Sequence, residues 1–238
     1  GIRDSSTSRG LGDVYKRQIM LSAIGTHGPT LSPIAMGALN AILFLVAVWL
    51  LVKPHAKSES WLWPLFLFVG LASVARIAMG FIPNVMPVTI MAIMIGSKFG
   101  VQRGIAFAIL VTLASNAVLG HGWWSLFQII GWSSVAAMAS ILGVHDSEGQ
   151  LSMNRLAFAS LWSVPIFTIT VSLSIVVPGM SLLEFGLYLA NGLLFDVLHF
   201  LGNIFFAMWF GHSFERLLNM IEPHHQLTQQ EHEHVSTL

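Results

Sequence analysis

The chain has 238 residues, with 11 Lys and Arg against 11 Asp and Glu, 9% charged residues in all and a mean hydropathy of +0.73. So low a charge content excludes an ordinary soluble domain, which carries about 25% charged residues, and the even balance leaves no basic face for nucleic acid. Cysteine is absent, which excludes disulfides, thiolate metal sites and a cysteine nucleophile.

Residues 1–19 are polar and read as a leader that is non-native, resembling a sequencing scar, or disordered; they end just before Met20 and are set apart from the fold. The apolar segments then follow as Ile34–Val52, Trp61–Phe81, Val85–Ile95, Gly104–Leu119, Trp124–Gly143, Leu156–Val177 and Phe185–Phe210. Each is read as a membrane helix, the third being short for a span of about 20 residues and therefore tilted or partial. The expected architecture is an all-α integral membrane protein. Residues 20–60 supply an extra N-terminal transmembrane helix and loop, 61–214 a six-helix membrane domain, and 215–238 a disordered cytoplasmic tail. That tail, with His224, His225, His232 and His234, is polar enough to need no metal, and no metal site is assigned.

The cations set the topology. Lys53 and Lys57 follow the first segment, Lys98 and Arg103 the third, Arg155 precedes the sixth and Arg216 follows the last. The alternate loops, Ile82–Met86, Gly120–Trp123 and Pro178–Glu184, hold no Lys or Arg, so they are expected outside and the C-terminus in the cytoplasm.

The run Ile82-Pro83-Asn84-Val85-Met86-Pro87-Val88-Thr89 breaks the helical pattern at membrane depth, where irregular backbone is tolerated only if protein buries it or it lines a polar cavity. Arg76, about 9 Å below that loop at 1.5 Å per residue, is a charge that marks a pathway or a site. Asn116, His121, Trp123, Gln128 and Trp132 lie near the same end. Gln128 and Trp132 share a helical face, whereas Trp123 and Trp124 also suit an interfacial belt. Asp196, His199 and Asn203 share one face of the last segment, with Asp196 placed near mid-span. Three roles stay open for them: an Arg76–Asp196 clamp, direct ligand contact, or a proton relay. Small residues at Gly70, Ala72, Ser73, Ala75 and Ala78, and at Gly104, Ala106 and Ala108, fit either close packing or a docking face. No catalytic motif and no P-loop is present, so no catalytic residue and no cofactor is assigned.

Taken together, Arg76, the Ile82–Thr89 run, Phe99-Gly100, Ser115-Asn116, Gly120-His121-Gly122-Trp123, Gln128, Trp132 and Phe195-Asp196-Val197-Leu198-His199-Phe200-Leu201-Gly202-Asn203 resemble the substrate-specific S component of energy-coupling factor (ECF) vitamin importers. The subgroup most similar is the cobalamin type. The resemblance covers Arg76 to Arg216 and implies a six-helix core with an outward-opening site under the loop around Pro83–Met86. It implies a vitamin or micronutrient as ligand, a prokaryotic cytoplasmic membrane as location, and as partners a transmembrane coupling subunit and two ATPases. The site residues it implies are Arg76, Asn84, Asn116, His121, Trp123, Gln128, Trp132, Asp196, His199 and Asn203. The chain departs from the pattern in its extra N-terminal helix and at Trp124 or its neighbour, where a proline usually follows His-Gly or Gln-Gly. Two other readings compete: a secondary transporter or channel with Arg76, Asp196 and His199 as an ion path, and an intramembrane enzyme with Asp196 and His199 as acid and base.

Overall fold

The structure, a computed structural model, describes residues 30–52 and 62–219. The leader, the Lys53–Lys57 loop and the His-rich tail lie outside the described residues. Among those residues the protein is all-helical, with eight α-helices and no strand. They are α1 (Pro33–Val52), α2 (Leu62–Ala78), α3 (Val88–Phe99), α4 (Val101–Leu119), α5 (Trp123–Leu142), α6 (Met153–Ser172, continued by a 3-10 turn at Leu173–Ile175), α7 (Leu182–Asn191) and α8 (Leu193–Asn219). Of these α1, α4, α5, α6 and α8 are long and apolar enough to cross a membrane.

The centre of the bundle is the shortest of the early helices. Every residue of α3 from Val88 to Gly96 is buried, so its surface is apolar and inward on all sides, the mark of a core helix. At 12 residues it is about 18 Å long, too short to span and able to lie at depth only because α2, α4, α5, α6 and α8 surround it. The segment expected at Val85–Ile95 is therefore a partial helix, shifted to Val88–Phe99 because Pro87 closes the preceding turn and cannot continue a helix backwards. Gly100, at φ +82°, reverses the chain into α4.

Small residues set how near α3, α4 and α5 approach. A Cβ built on Gly96 would fall 2.2 Å from the Ala136 carbonyl oxygen, and one on Gly104 would fall 2.5 Å from the Ala136 Cβ. Gly104, Ala106 and Ala108 are thus packing residues of the interior. On α2 the pattern divides: Ala72 and Ser73 face inward, while Gly70 has open space beside it. The first helix, α1, buries only Leu43, Ala47 and Leu50, a single stripe against Ala106, Ile109 and Ile129. Arg103 donates to the Leu50 carbonyl and so ties down the free C-terminal end of α1. The outer faces carry Phe44, Leu45, Trp63, Phe66, Leu201 and Trp209, the apolar exterior of a lipid-embedded bundle.

The last expected span, Phe185–Phe210, is two helices. Ser181 and Glu184 form a reciprocal capping box that starts α7 at Leu182, and the chain breaks at Asn191-Gly192. The following helix then runs 27 residues to Asn219, beyond the boundary expected at 214. Asp196 consequently stands in the first turn of a helix about 40 Å long, near its end and not at mid-span.

Candidate functional site

Two ends of the bundle are defined by contacts. At one end Gly80 lies beside Leu119, and Asn84 donates to the Phe195 carbonyl at 3.4 Å, so the turns after α2, α4 and α6 and the α7–α8 junction share this end. At the other end Glu215 of α8 meets Lys98 at 3.7 Å and His145 at 3.2 Å, Lys98 donates to Asn219, and Arg155 donates to the His145 carbonyl. Asn84, His121 and Ser181 stand at the first end, and Lys98, Arg155 and Ser147 at the second, the separation the cation pattern requires.

A continuous polar network lies under the first end. Arg76, only 5% exposed, donates to Ser115 Oγ and to Asn116 Oδ1 at 2.6 Å, and its guanidinium sits 5.2 Å from the centroid of the Trp132 ring. Asn116 in turn donates to Ser125 Oγ at 2.8 Å and to Gln128 Oε1 at 3.0 Å. Ser125 Oγ also accepts from the Gly122 backbone, which anchors the turn between α4 and α5. Trp132 Nε1 donates to Thr89 Oγ1 at 3.3 Å, and the same hydroxyl lies 2.9 Å from His199 Nε2. The prolines at 83 and 87 therefore do more than break a helix: they start α3 so that Thr89 meets both rings.

The Arg76–Asp196 clamp, one of the three roles open from sequence, does not form. Arg76 reaches across to α4, because Ser115 and Asn116 lie directly beside it, whereas Asp196 turns to α6 and accepts from Thr168 Oγ1 at 2.5 Å. His199 makes no hydrogen bond to Asp196 among the described residues, so the two do not form a relay. Its ring stands edge-on to Phe167 at 5.4 Å, and Phe167 tilts against Trp132 at 4.8 Å. Asn203 donates to Ser163 Oγ at 3.1 Å. The face shared by Asp196, His199 and Asn203 is thus applied to α6 as a ladder with Thr168, Phe167 and Ser163. Two buried atoms on that ladder, His199 Nδ1 and Asn203 Oδ1, have no hydrogen-bond partner.

At the top of the ladder is a cavity of about 440 Å³. Its walls are Phe167, Thr168, Val171 and Ser172 of α6, Tyr188, Leu189 and Asn191 of α7, Phe195 and Asp196 of α8, and Asn84 from the loop, which approaches in the left-handed region at φ +61°. Tyr188 and Phe195 on the rim are 43% and 45% exposed, so the cavity is open on that side. Pro165, inside α6, removes one backbone hydrogen bond two residues before Phe167 and frees the helix to diverge there.

Of the ten site residues expected from sequence, Asn84 and Asp196 line this cavity. Arg76, Asn116, Gln128, Trp132 and His199 form the network behind it, and Asn203 stands lower on the ladder. His121 and Trp123 lie on the α4–α5 turn, away from the cavity. Trp123 packs on Phe127 at 5.4 Å, and burial lowers the pKa of His121, which favours its neutral form. The Trp124 ring folds over Gly122, where any Cβ would collide at 1.8 Å, so this turn holds its shape without a proline. Sequence reading missed Phe167, Thr168, Tyr188 and Asn191. Signals for them existed in Pro165, in the Ser181–Glu184 capping pattern and in Asn191-Gly192.

Comparison with family models, with curated proteins and with solved structures found no match for this chain.

Proposed function

We propose that this protein is the substrate-binding membrane subunit of an ECF-type importer, capturing a vitamin or related micronutrient outside a prokaryotic cytoplasmic membrane. It would hand the ligand to a transmembrane coupling subunit driven by two separate ATPases, and would perform no chemistry itself. The observation that carries this reading is the cavity at the Asn84 end, where aromatic and apolar walls surround a few polar groups. The resemblance of the Ile82–Thr89 and Phe195–Asn203 segments supplies the importer class.

The polar ladder favours capture over conduction. Below Asn203 the interior between α6 and α8 is mostly apolar, with Leu156, Phe206, Phe214 and Leu218 buried and the Ser160 hydroxyl turned back onto the Leu156 carbonyl, and among the described residues charge returns at the far end with Glu215, Lys98 and the buried Arg103. A channel or proton path would need polar groups through that layer. The test is to purify the chain alone in detergent and analyse it by mass spectrometry for a small molecule. Stoichiometric retention is the expected result, and repeated recovery of empty protein that binds no vitamin from a panel refutes the reading.

A further inference from the structure

Within the binding reading proposed above, we infer that the ligand is a small organic cation, a protonated or quaternary nitrogen borne on one or two rings, held by the Asp196 carboxylate in the cavity between α6, α7 and α8. Four observations carry this. Among the described residues Asp196 is the one carboxylate on the cavity wall, which holds no Lys, Arg or His; the other polar side chains are the amides of Asn84 and Asn191 and the hydroxyls of Thr168, Ser172 and Tyr188. Its carboxylate caps nothing: the first-turn N–H groups of Phe195 and Asp196 go to the Gly192 carbonyl, and the side chain reaches instead to Thr168. One hydrogen bond leaves most of its acceptor capacity facing the cavity.

Among the described residues no cationic side chain on the wall offsets it. Arg76, the nearest candidate by sequence reading, is committed to Ser115, Asn116 and the Trp132 ring and forms no part of the wall. A carboxylate among apolar walls projects a field that favours cations and disfavours anions. Phe167, Tyr188 and Phe195 add three aromatic rings around the same space, the surroundings that attract an organic cation through the ring faces.

Size sharpens the class. About 440 Å³ lies low in the range of roughly 300–1,000 Å³ typical of small-molecule sites, which fits one or two rings and falls short of enclosing a corrinoid. The mostly apolar wall also suits an organic body better than a bare metal ion, and no group of three acidic, His or Cys side chains occurs among the described residues.

The experiment compares wild type with Asp196→Asn, which keeps an acceptor for Thr168 and removes only the charge, and with Asp196→Glu, which restores it. Benzylamine, benzyl alcohol and benzoate at millimolar concentration serve as probes of one shape and three charges, read by thermal shift in detergent. Each protein's melting temperature without probe confirms folding, and the molecule released from wild type is identified in parallel. Benzylamine alone should stabilise wild type, Asp196→Asn should lose that response by about thirty-fold or more in affinity, and Asp196→Glu should keep part of it.

Equal or stronger stabilisation by benzoate, a response unchanged in Asp196→Asn, or no response to any probe overturns the assignment. So does a co-purified anion, which leaves the binding-subunit reading intact. Release of lipid alone, with no vitamin bound, overturns the binding-subunit reading and the assignment with it.

Discussion

The α3–α4–α5 junction and the α6–α7–α8 corner are built from the same apolar composition and reach opposite results. At the junction, Gly96 and Gly104 bring backbones so near that Ala136 fills the whole gap. At the corner, Pro165, the Asn191-Gly192 break and the bulk of Phe167, Tyr188 and Phe195 hold the helices apart around about 440 Å³. Helix α7 buries none of its residues. Lipid offers little hydrophobic drive for helices to associate, so close van der Waals contact is what holds them together. Close contact is therefore concentrated at the junction, and the corner leaves open space.

The largest effect is expected at the junction. Gly96→Ala places a methyl group against the Ala136 backbone, which has no flexible end to yield, and should cost about 3 kcal/mol or more. Thermal unfolding in detergent, followed by size-exclusion, should show a markedly lowered midpoint or no folded protein; a wild-type midpoint would mean that the helices are not in backbone contact. Next comes the network between the two regions. Asn116→Ala removes an acceptor from buried Arg76 and the partner of Gln128, and should cost between about 1 and 3 kcal/mol in the same assay.

At the corner the balance reverses. Asp196→Asn should leave the unfolding midpoint within about 1 kcal/mol of wild type, since Thr168 keeps its acceptor, while ligand binding falls sharply. An unfolded Asp196→Asn protein would assign Asp196 to structure. The smallest effect belongs to Gly186→Ala on α7. Its new methyl meets nothing within 4 Å, so helix propensity alone acts and stabilises by about 0.5–1 kcal/mol at most. A large loss there would show that α7 packs on something more than its light contacts with α6 and α8.

The sequence was informative about elements and less so about their partners. Hydropathy located the helices, and the two prolines around Asn84 marked the end where the cavity lies, because each of these is a local property of the chain. Pairing is not local. Arg76 and Asp196 are two charges in an apolar bundle for which a clamp is one open role, yet Arg76 donates to neutral Ser115 and Asn116 and lies over the Trp132 ring, with its Nε left unpartnered, an arrangement that depends on how α2 lies against α4 and α5. The helical face of Asp196, His199 and Asn203 was legible from spacing, but its fit to Thr168, Phe167 and Ser163 required the α6–α8 packing. The split of the last span was legible in principle, since Ser181-Leu182-Leu183-Glu184 is a capping pattern that strong hydropathy on both sides of Gly192 conceals.

The central claim is that the corner cavity is where the ligand sits, and the absence of cysteine makes it directly testable. Tyr188→Cys on the cavity wall and Ser147→Cys at the opposite end can each be alkylated with a bulky maleimide in purified protein, and retention of the co-purified small molecule measured by mass spectrometry. The account predicts that alkylation at 188 expels the ligand and blocks its rebinding, while alkylation at 147 leaves binding at the wild-type level. Full retention after stoichiometric alkylation at 188 would contradict it.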